Sequence, residues 1–336
     1  MEPSRTNRPE EGEYLGKIAS LAGMKSIPAD VPRLDPANSC DLAADLDLAQ
    51  ELADIADSLS LSRFRAVDLK VDTKPDRSPV TEADLAVERA IRDRLSVVRP
   101  ADVIFGEEFG GTEDQARARS AARTWIIDPI DGTANFLRGV PVWGTLIALA
   151  MDGNPVVGVA SAPALGRRWW AARGHGAWTN VMNGVGGTHG MDREARSQDA
   201  NDIADAASPA SPFVTTAARR ISVSGVTELT DASLSFQSLA QWRDAGQLAT
   251  ILNLAARVWR DRAYGDLWPY TLLAEGLLDI TTEYGIHPYD IAALIPIVEE
   301  AGGRFTSVTG EPGPWHGSAL ATNGMLHGEV LRALAS

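Results

Sequence analysis

Two aspartates three positions apart frame a proline, and a glycine and a hydroxyl follow: Asp128-Pro129-Ile130-Asp131-Gly132-Thr133. The apolar residues Trp125 to Ile127 before them read as a short buried strand that stops at Asp128. Pro129 fixes its own φ and biases Asp128 toward an extended conformation, so the turn is stiff. Gly132 lets the backbone approach whatever the carboxylates hold. Hard anionic oxygens beside a close-approaching backbone suit a magnesium-class cation shared with a phosphate. The plainer alternative is a strand-to-turn corner that Asp128 caps.

Other acidic residues stand at comparable places. Gly106-Glu107-Glu108 ends the apolar run Val103-Ile104-Phe105; by itself it also describes a solvated acidic turn. Thr81-Glu82-Ala83-Asp84 has the form of a capping box ahead of Val87, Ile91 and Leu95 at helical spacing. Asp290 stands where an N-cap would, before Ile291, Leu294, Ile295 and Val298, with Gly302-Gly303 closing the helix. Between Asp72 and Asp84 two prolines make a mobile loop whose cations are Lys74 and Arg77. Such loops close over anionic ligands; solvated surface charge is an equal alternative.

These groups need elements to position them. From Asp41 to Leu61, Leu42, Leu46, Ala49 and Ala53 form one stripe and Leu48, Leu52, Ile55 and Leu59 another, which predicts a packed helix. Val67 to Val71 reads as a strand. Trp143 to Ala150, Pro155 to Ser161 and Arg168 to Ala172, separated by turn residues, predict an antiparallel meander with Trp169 and Trp170 as core or interface aromatics. Residues 183–220 carry hardly any large apolar side chain and read as a flexible insertion. Beyond it, Ile221 to Val223, Ser233 to Phe236 and Leu277 to Thr282 predict strands, and Gln247 to Trp259 and Leu267 to Gly276 predict helices, the second one capped by Asp266. His175 and His287 read as structural.

The domain organisation expected is therefore a disordered leader over 1–40, an N-terminal α+β metal-binding domain over 41–182, the insertion, and a C-terminal α/β domain over 221–336. A hydrophobic fraction of 44% suffices for a core. A net charge of −14 argues against nucleic acid or anionic membranes as partners, and requires a polyanionic substrate to be received locally. The single cysteine, Cys40, excludes an intrachain disulfide and a thiolate metal site and fits a cytoplasmic protein.

The hexapeptide at 128–133 resembles the D-P-[IL]-D-G-[ST] signature of the inositol monophosphatase superfamily. Haloacid-dehalogenase phosphatases place one residue between their aspartates; here two intervene. T-E-A-D, G-E-E, D-P-I-D-G-T and Y-D-I-A-A occur in the superfamily's order between Asp41 and Leu334. The resemblance implies a layered α-β-α-β-α sandwich of the α/β class with an α+β N-terminal half. It implies that Glu107, Asp128, Asp131, Asp290 and the carbonyl of Ile130 hold two or three Mg2+ ions. Asp84 and Thr133 would orient the attacking water, with no covalent phosphoenzyme, and the N–H groups of Gly132 and Thr133 would hold phosphate. Lys74 would lie near the metals, the substrate would be a small phosphate ester, and the chain would be a homodimer.

Within the superfamily, residues 262–266, 274–280 and 292–303 are most similar to the histidinol-phosphate phosphatases; an inositol-1-phosphate or sugar phosphatase is the alternative, and an inactive binding protein the rival of another class. On the first of these, Asp266 and Glu283 receive the ammonium and imidazole of the substrate. Exchanging Asp266 for Ala should then raise KM for histidinol phosphate far more than KM for inositol 1-phosphate; equal effects on both would remove Asp266 from recognition.

Overall fold

The computed structural model describes residues 39–74, 78–184 and 213–335. The expected leader up to residue 38, the middle of the expected insertion and Arg77 lie outside these residues.

The first helix, α1 (Ser39–Arg63), buries the expected stripe, with Leu42, Ala49, Leu52 and Ala53 shielded from solvent. It packs against α2 (Glu82–Val98), whose start follows a short hairpin of β1 (Val71–Thr73) and β2 (Pro79–Thr81). Val67, expected in a strand, is fully exposed in the connection instead, because nothing pairs with it there.

Helices α1 and α2 cover one face of a large sheet. Its strands are β3 (Val103–Gly106), β4 (Arg123–Asp131), β5 (Gly144–Met151), β6 (Asn154–Ala162), β7 (Arg167–Ala172), β8 (Ala177–Gly184), β9 (Phe213–Thr215) and β10 (Arg219–Arg220). The order β10-β8-β7-β6-β5-β4-β3 is antiparallel throughout except for β3 beside β4, and β9 also pairs with β8. The meander expected from the turn residues is thus present. One buried ion pair ties helix to sheet: Asp57 of α1 accepts from Arg168 (2.6 Å) and from Ser161 (2.7 Å). The helix α3 (Thr112–Ser120) connects β3 to β4.

A second sheet comprises β11 (Ser233–Ser235), β12 (Arg260–Arg262), β13 (Ile280–Tyr284), β14 (Arg304–Thr306) and β15 (Ser318–Thr322), in the order β12-β11-β13-β15-β14. Ile221 to Val223 joins no strand, and the expected strand at Leu277 starts instead at Ile280. Gly276, at φ +75°, ends the preceding helix and leaves Leu277 exposed. Of the helices α4 (Thr133–Arg138), α5 (Leu239–Asp244), α6 (Leu248–Ala255), α7 (Trp268–Ala274), α8 (Pro288–Ile291), α9 (Leu294–Glu300) and α10 (His327–Leu334), α7 and α9 lie between the two sheets. Leu273, Leu294 and Val298 join Leu146, Ala160 and Trp169 of one sheet and Ala319 and Ala321 of the other in one core. On the far side, Ile251 and Val330 from α6 and α10 cover Leu234, Ile280 and Leu320. The stack is α-β-α-β-α, as the resemblance implies.

A close approach of backbone to backbone in this stack is at Gly158 of β6. A Cβ there would stand 2.0 Å from the carbonyl oxygen of Ala293 and 2.7 Å from Pro296 Cγ. Backbone cannot yield as a side-chain tip can, so Gly158→Ala must push α8 and α9 off the sheet. It should lower stability by about 2–3 kcal/mol, read as the midpoint of urea unfolding, and should depress kcat because Asp290 is carried on the displaced segment. An unchanged midpoint would show that this contact does not fix the layers.

Candidate active site

Strand β4 does not end at Asp128; it runs to Asp131 with a register shift against β5, where Asp128 faces Leu146 and Asp131 faces Gly144. Between these pairs, Pro129 and Ile130 on β4 stand opposite the single Thr145 on β5, which is a one-residue bulge. Parity is the consequence. In a regular strand residues three apart point to opposite faces; the extra residue lets Asp128 and Asp131 line the same cavity. Pro129 has no N–H to lose at the bulge, and its carbonyl accepts from Thr145 Oγ1 (2.8 Å). Gly132 follows at φ +84°, and a side chain there would press on Val142 O and on the Asp266 carboxylate, each within about 3.3 Å of its Cβ.

Glu107 leaves β3 at a turn packed tightly against Glu88: a Cβ on Gly106 would lie 2.0 Å from Glu88 Oε1 and would have to displace that carboxylate. Glu88, fully buried on α2, accepts from the backbone N–H of Glu108 (2.8 Å) and Phe109 (3.3 Å) and so fixes the acidic turn. Lys74 donates to Glu107 Oε1 at 2.6 Å and to Glu108 Oε1 at 2.8 Å. Burial works to lower the Lys74 pKa, but the two carboxylates outweigh it and hold the ammonium above its ordinary range.

Asp84 makes both contacts that the sequence leaves open. Its Oδ2 accepts from Thr81 N (2.8 Å), closing the capping box of α2, and its Oδ1 accepts from Thr133 Oγ1 (3.2 Å). Thr133 Oγ1 also lies 3.0 Å from Ile130 O. Asp290 is not the N-cap; His287 is. Asp290 stands three residues further on, where its Oδ2 accepts from His287 N (2.6 Å), because Pro288 takes the first helical position.

Asp266 does not cap the following helix either. It is held at φ +53°, directly after Gly265 at φ +78°, with Leu267 as N-cap. Its carboxylate is thereby turned to accept from Asn135 Nδ2 (2.8 Å), and its own N–H donates to Gln237 Oε1 (2.9 Å). Glu283, buried on β13, accepts a hydrogen bond from Tyr270 OH.

Glu107, Asp128, Ile130, Asp131, Gly132, Thr133, Asp266, Glu283 and Asp290 thus line one cavity of about 240 Å3. Lys74 and Asp84 touch this set without lining the cavity. Asn135, Gln237, Gln241, Tyr270 and Glu88 complete it; no motif marks them, since each arrives by tertiary packing.

The electrostatics are those of like charges confined together. Burial, then the charges of Glu107, Asp131 and Asp290, raises the Asp128 pKa well above the carboxylate range. Asp131 is raised by burial and by Asp266 and Asp290. Burial pushes Asp290 up to about 7, Glu283 to about 8, and Asp84 and Asp266 each to about 6, with neighbouring carboxylates adding to the first three.

Among the described residues, no three His, Cys, Asp or Glu groups close into a ready-made ion cage. The cation of Lys74 and the N–H groups of Leu267 (2.6 Å from Asp131 Oδ2) and His287 occupy carboxylate oxygens. Yet Asp128 Oδ1 is buried with no hydrogen-bond partner. An orphaned carboxyl oxygen amid four further carboxyl groups, in a cavity lined by no sulfur or imidazole donor, fits a hard divalent cation, Mg2+ above the softer transition metals.

A bulged strand that brings acidic residues to a cavity in a five-layered α/β sandwich defines the class: a phosphate-ester hydrolase architecture. The chain matches the inositol monophosphatase family model over residues 40–336 and belongs to that family. It is 50% identical to a histidinol-phosphatase of Mycobacterium tuberculosis, an alignment covering 86% of this chain and 97% of that one. It is 48% identical to a histidinol-phosphatase of Streptomyces coelicolor, over 87% and 97% of the two chains. A solved inositol monophosphatase from Zymomonas mobilis superposes with a TM-score of 0.67 at 30% identity, covering 88% of this chain and 98% of that one.

The raised carboxylates make the chelated protein sensitive to pH with a definite sign. A group with a folded pKa above its unfolded value binds more protons when folded, so stability falls as pH rises between the two values. For Asp290 that interval runs from 3.8 to about 7 and for Glu283 from 4.5 to about 8. The melting temperature in EDTA should therefore drop from pH 5 to pH 8, and Mg2+ should restore more of it at pH 8 than at pH 5. A melting temperature that rises over this range would contradict the electrostatic picture.

Proposed function

We propose that this phosphomonoesterase hydrolyses L-histidinol phosphate to L-histidinol and phosphate, a step of histidine biosynthesis, as a Mg2+-dependent cytoplasmic homodimer. The observation that carries the substrate choice is a pair of acids, the half-buried Asp266 and the buried Glu283, in the same cavity as the signature aspartates. A substrate whose leaving group bears an ammonium and an imidazole complements them, whereas inositol offers only hydroxyls. The similarity to two histidinol-phosphatases over nearly their whole length supports the same choice. Among the described residues, no helix is long and apolar enough to cross a membrane.

Glu107, Asp128, Asp131, Asp290 and the carbonyl of Ile130 would hold two or three Mg2+ ions. When bound, such ions neutralise phosphate charge, stabilise a leaving alkoxide and acidify a water. The residues of the chain do the rest. Thr133 Oγ1, anchored between Asp84 Oδ1 and Ile130 O, keeps an acceptor lone pair for the attacking water and aligns it. As the water oxygen bonds phosphorus and the ester P–O bond breaks, the water's proton passes toward Thr133 and Asp84, and the departing alkoxide of histidinol takes up a proton from solvent. The N–H groups of Gly132 and Thr133 hold phosphate oxygens. Catalysis is positioning and charge neutralisation, without a covalent intermediate.

Turnover of histidinol phosphate, inositol 1-phosphate and fructose 1,6-bisphosphate, measured side by side with and without Mg2+, tests this. Histidinol phosphate should lead in kcat/KM by about tenfold or more, and activity should vanish without the metal. Asp84→Asn should lower kcat by about 10^2–10^4 with KM little changed. Preference for inositol 1-phosphate would refute the substrate, and no Mg2+-dependent phosphate release from any of the three would refute the enzyme.

A further inference from the structure

The cavity contains two side chains that the proposed chemistry does not use. Gln237 follows β11 at φ +57°, a left-handed conformation that a long side chain adopts only under constraint from its surroundings. Its surroundings supply that constraint: its Oε1 accepts the N–H of Asp266, itself left-handed, and a Cβ on the preceding Gly265 would come within 2.9 Å of that same oxygen. Two loops distant in sequence thus lock each other in strained geometry at the cavity.

Gln241 lies one turn further on, in α5. It lines the cavity, and its Oε1 is closed off from solvent with no hydrogen-bond partner. Its neighbour Trp242 is fully buried and donates from Nε1 to Phe236 O (3.1 Å), which pins the helix, and Gly285 at φ +70° passes along its stem, where a Cβ would be 3.8 Å from Gln241 Cγ. A buried acceptor with no donor is costly and scarce in folded proteins. A donor on the ligand resolves it.

We propose that Gln241 is a specificity-determining residue whose side-chain carbonyl accepts an N–H from the nitrogenous leaving group of the substrate, an ammonium or an imidazole. Gln237 is the positioning residue that holds Asp266 in the same cavity. The inference rests on the nitrogen-bearing substrate class proposed above, and it assigns the recognition of that class to an uncharged acceptor as well as to Asp266 and Glu283.

The test is a calorimetric titration of the Mg2+-loaded protein with L-histidinol and, separately, with inorganic phosphate. Gln241→Leu, which keeps the bulk and removes the acceptor, should weaken L-histidinol about tenfold and leave phosphate unchanged. Gln241→Glu, which keeps an acceptor, should retain or tighten L-histidinol binding. In turnover, Gln241→Leu should raise KM for histidinol phosphate about tenfold with kcat within about twofold. Loss of both ligands together, loss of neither, equal losses in the Leu and Glu variants, or a wild-type protein that binds no L-histidinol each overturn the assignment. Failure of the substrate proposal is read separately, from the wild-type preference among phosphate esters.

Discussion

Carboxylates crowded into a low-dielectric cavity repel one another and resent losing water, and the rest of this molecule is arranged around enforcing that crowding. Asp128, Asp131, Asp290, Glu107 and Glu283 come from four separate segments, and their pKa shifts, where resolved, are upward. A cavity of this kind does not assemble from local preference; each acid must be held by groups that cannot relax. Backbone amides hold Asp131 and Asp290, a phenol holds Glu283 and an ammonium holds Glu107. What remains uncompensated is the mutual repulsion of the set, which a divalent cation would offset.

Rigidity comes from devices ordinarily counted as structural. The acid three residues after a helix start serves twice, at Asp84 and at Asp290: one oxygen satisfies a backbone N–H, so the carboxylate cannot swing away from the site. Asp114 binds Gly111 N in the same way at the start of another helix, yet does not line this cavity. Capping geometry alone therefore does not announce function. What distinguishes Asp84 is the second oxygen, aimed at Thr133. The bulge in β4 plays the equivalent part for the sheet, because without it Asp128 and Asp131 would face opposite layers.

The polar wall of the cavity is arranged otherwise. Gly265, Asp266 and Gln237 are all left-handed, and the two non-glycine residues cost about 1–3 kcal/mol each in backbone strain. Such strain persists where surrounding contacts over-determine it, here the mutual Gln237–Asp266 bond and the Asn135 contact. The carboxylate cluster and the strained amide wall occupy one cavity and meet directly: Leu267, next to Asp266, donates its N–H to Asp131, and the Asp266 carboxylate stands against Gly132.

Much of this was legible in the linear chain because it depends on local order. The packed first helix, the Thr81–Asp84 box, the meander of β5 to β7 and the acid-bearing turns follow from periodicity and turn residues, and the four ordered motifs brought the family with them. The ends of elements were less legible: β4 continued past Asp128, Val67 lay outside any strand, and Asp266 and Asp290 took other places than N-caps, because pairing partners and prolines nearby overrode single-residue preference. Glu88, Asn135, Tyr270, Gln237 and Gln241 left no trace in the sequence. Residue type and spacing determine which acids the chain carries and which turns present them. Only the folded chain decides which way each carboxylate faces and what stands against it, since those are set by a bulge, by close backbone approach and by contacts between segments more than a hundred residues apart.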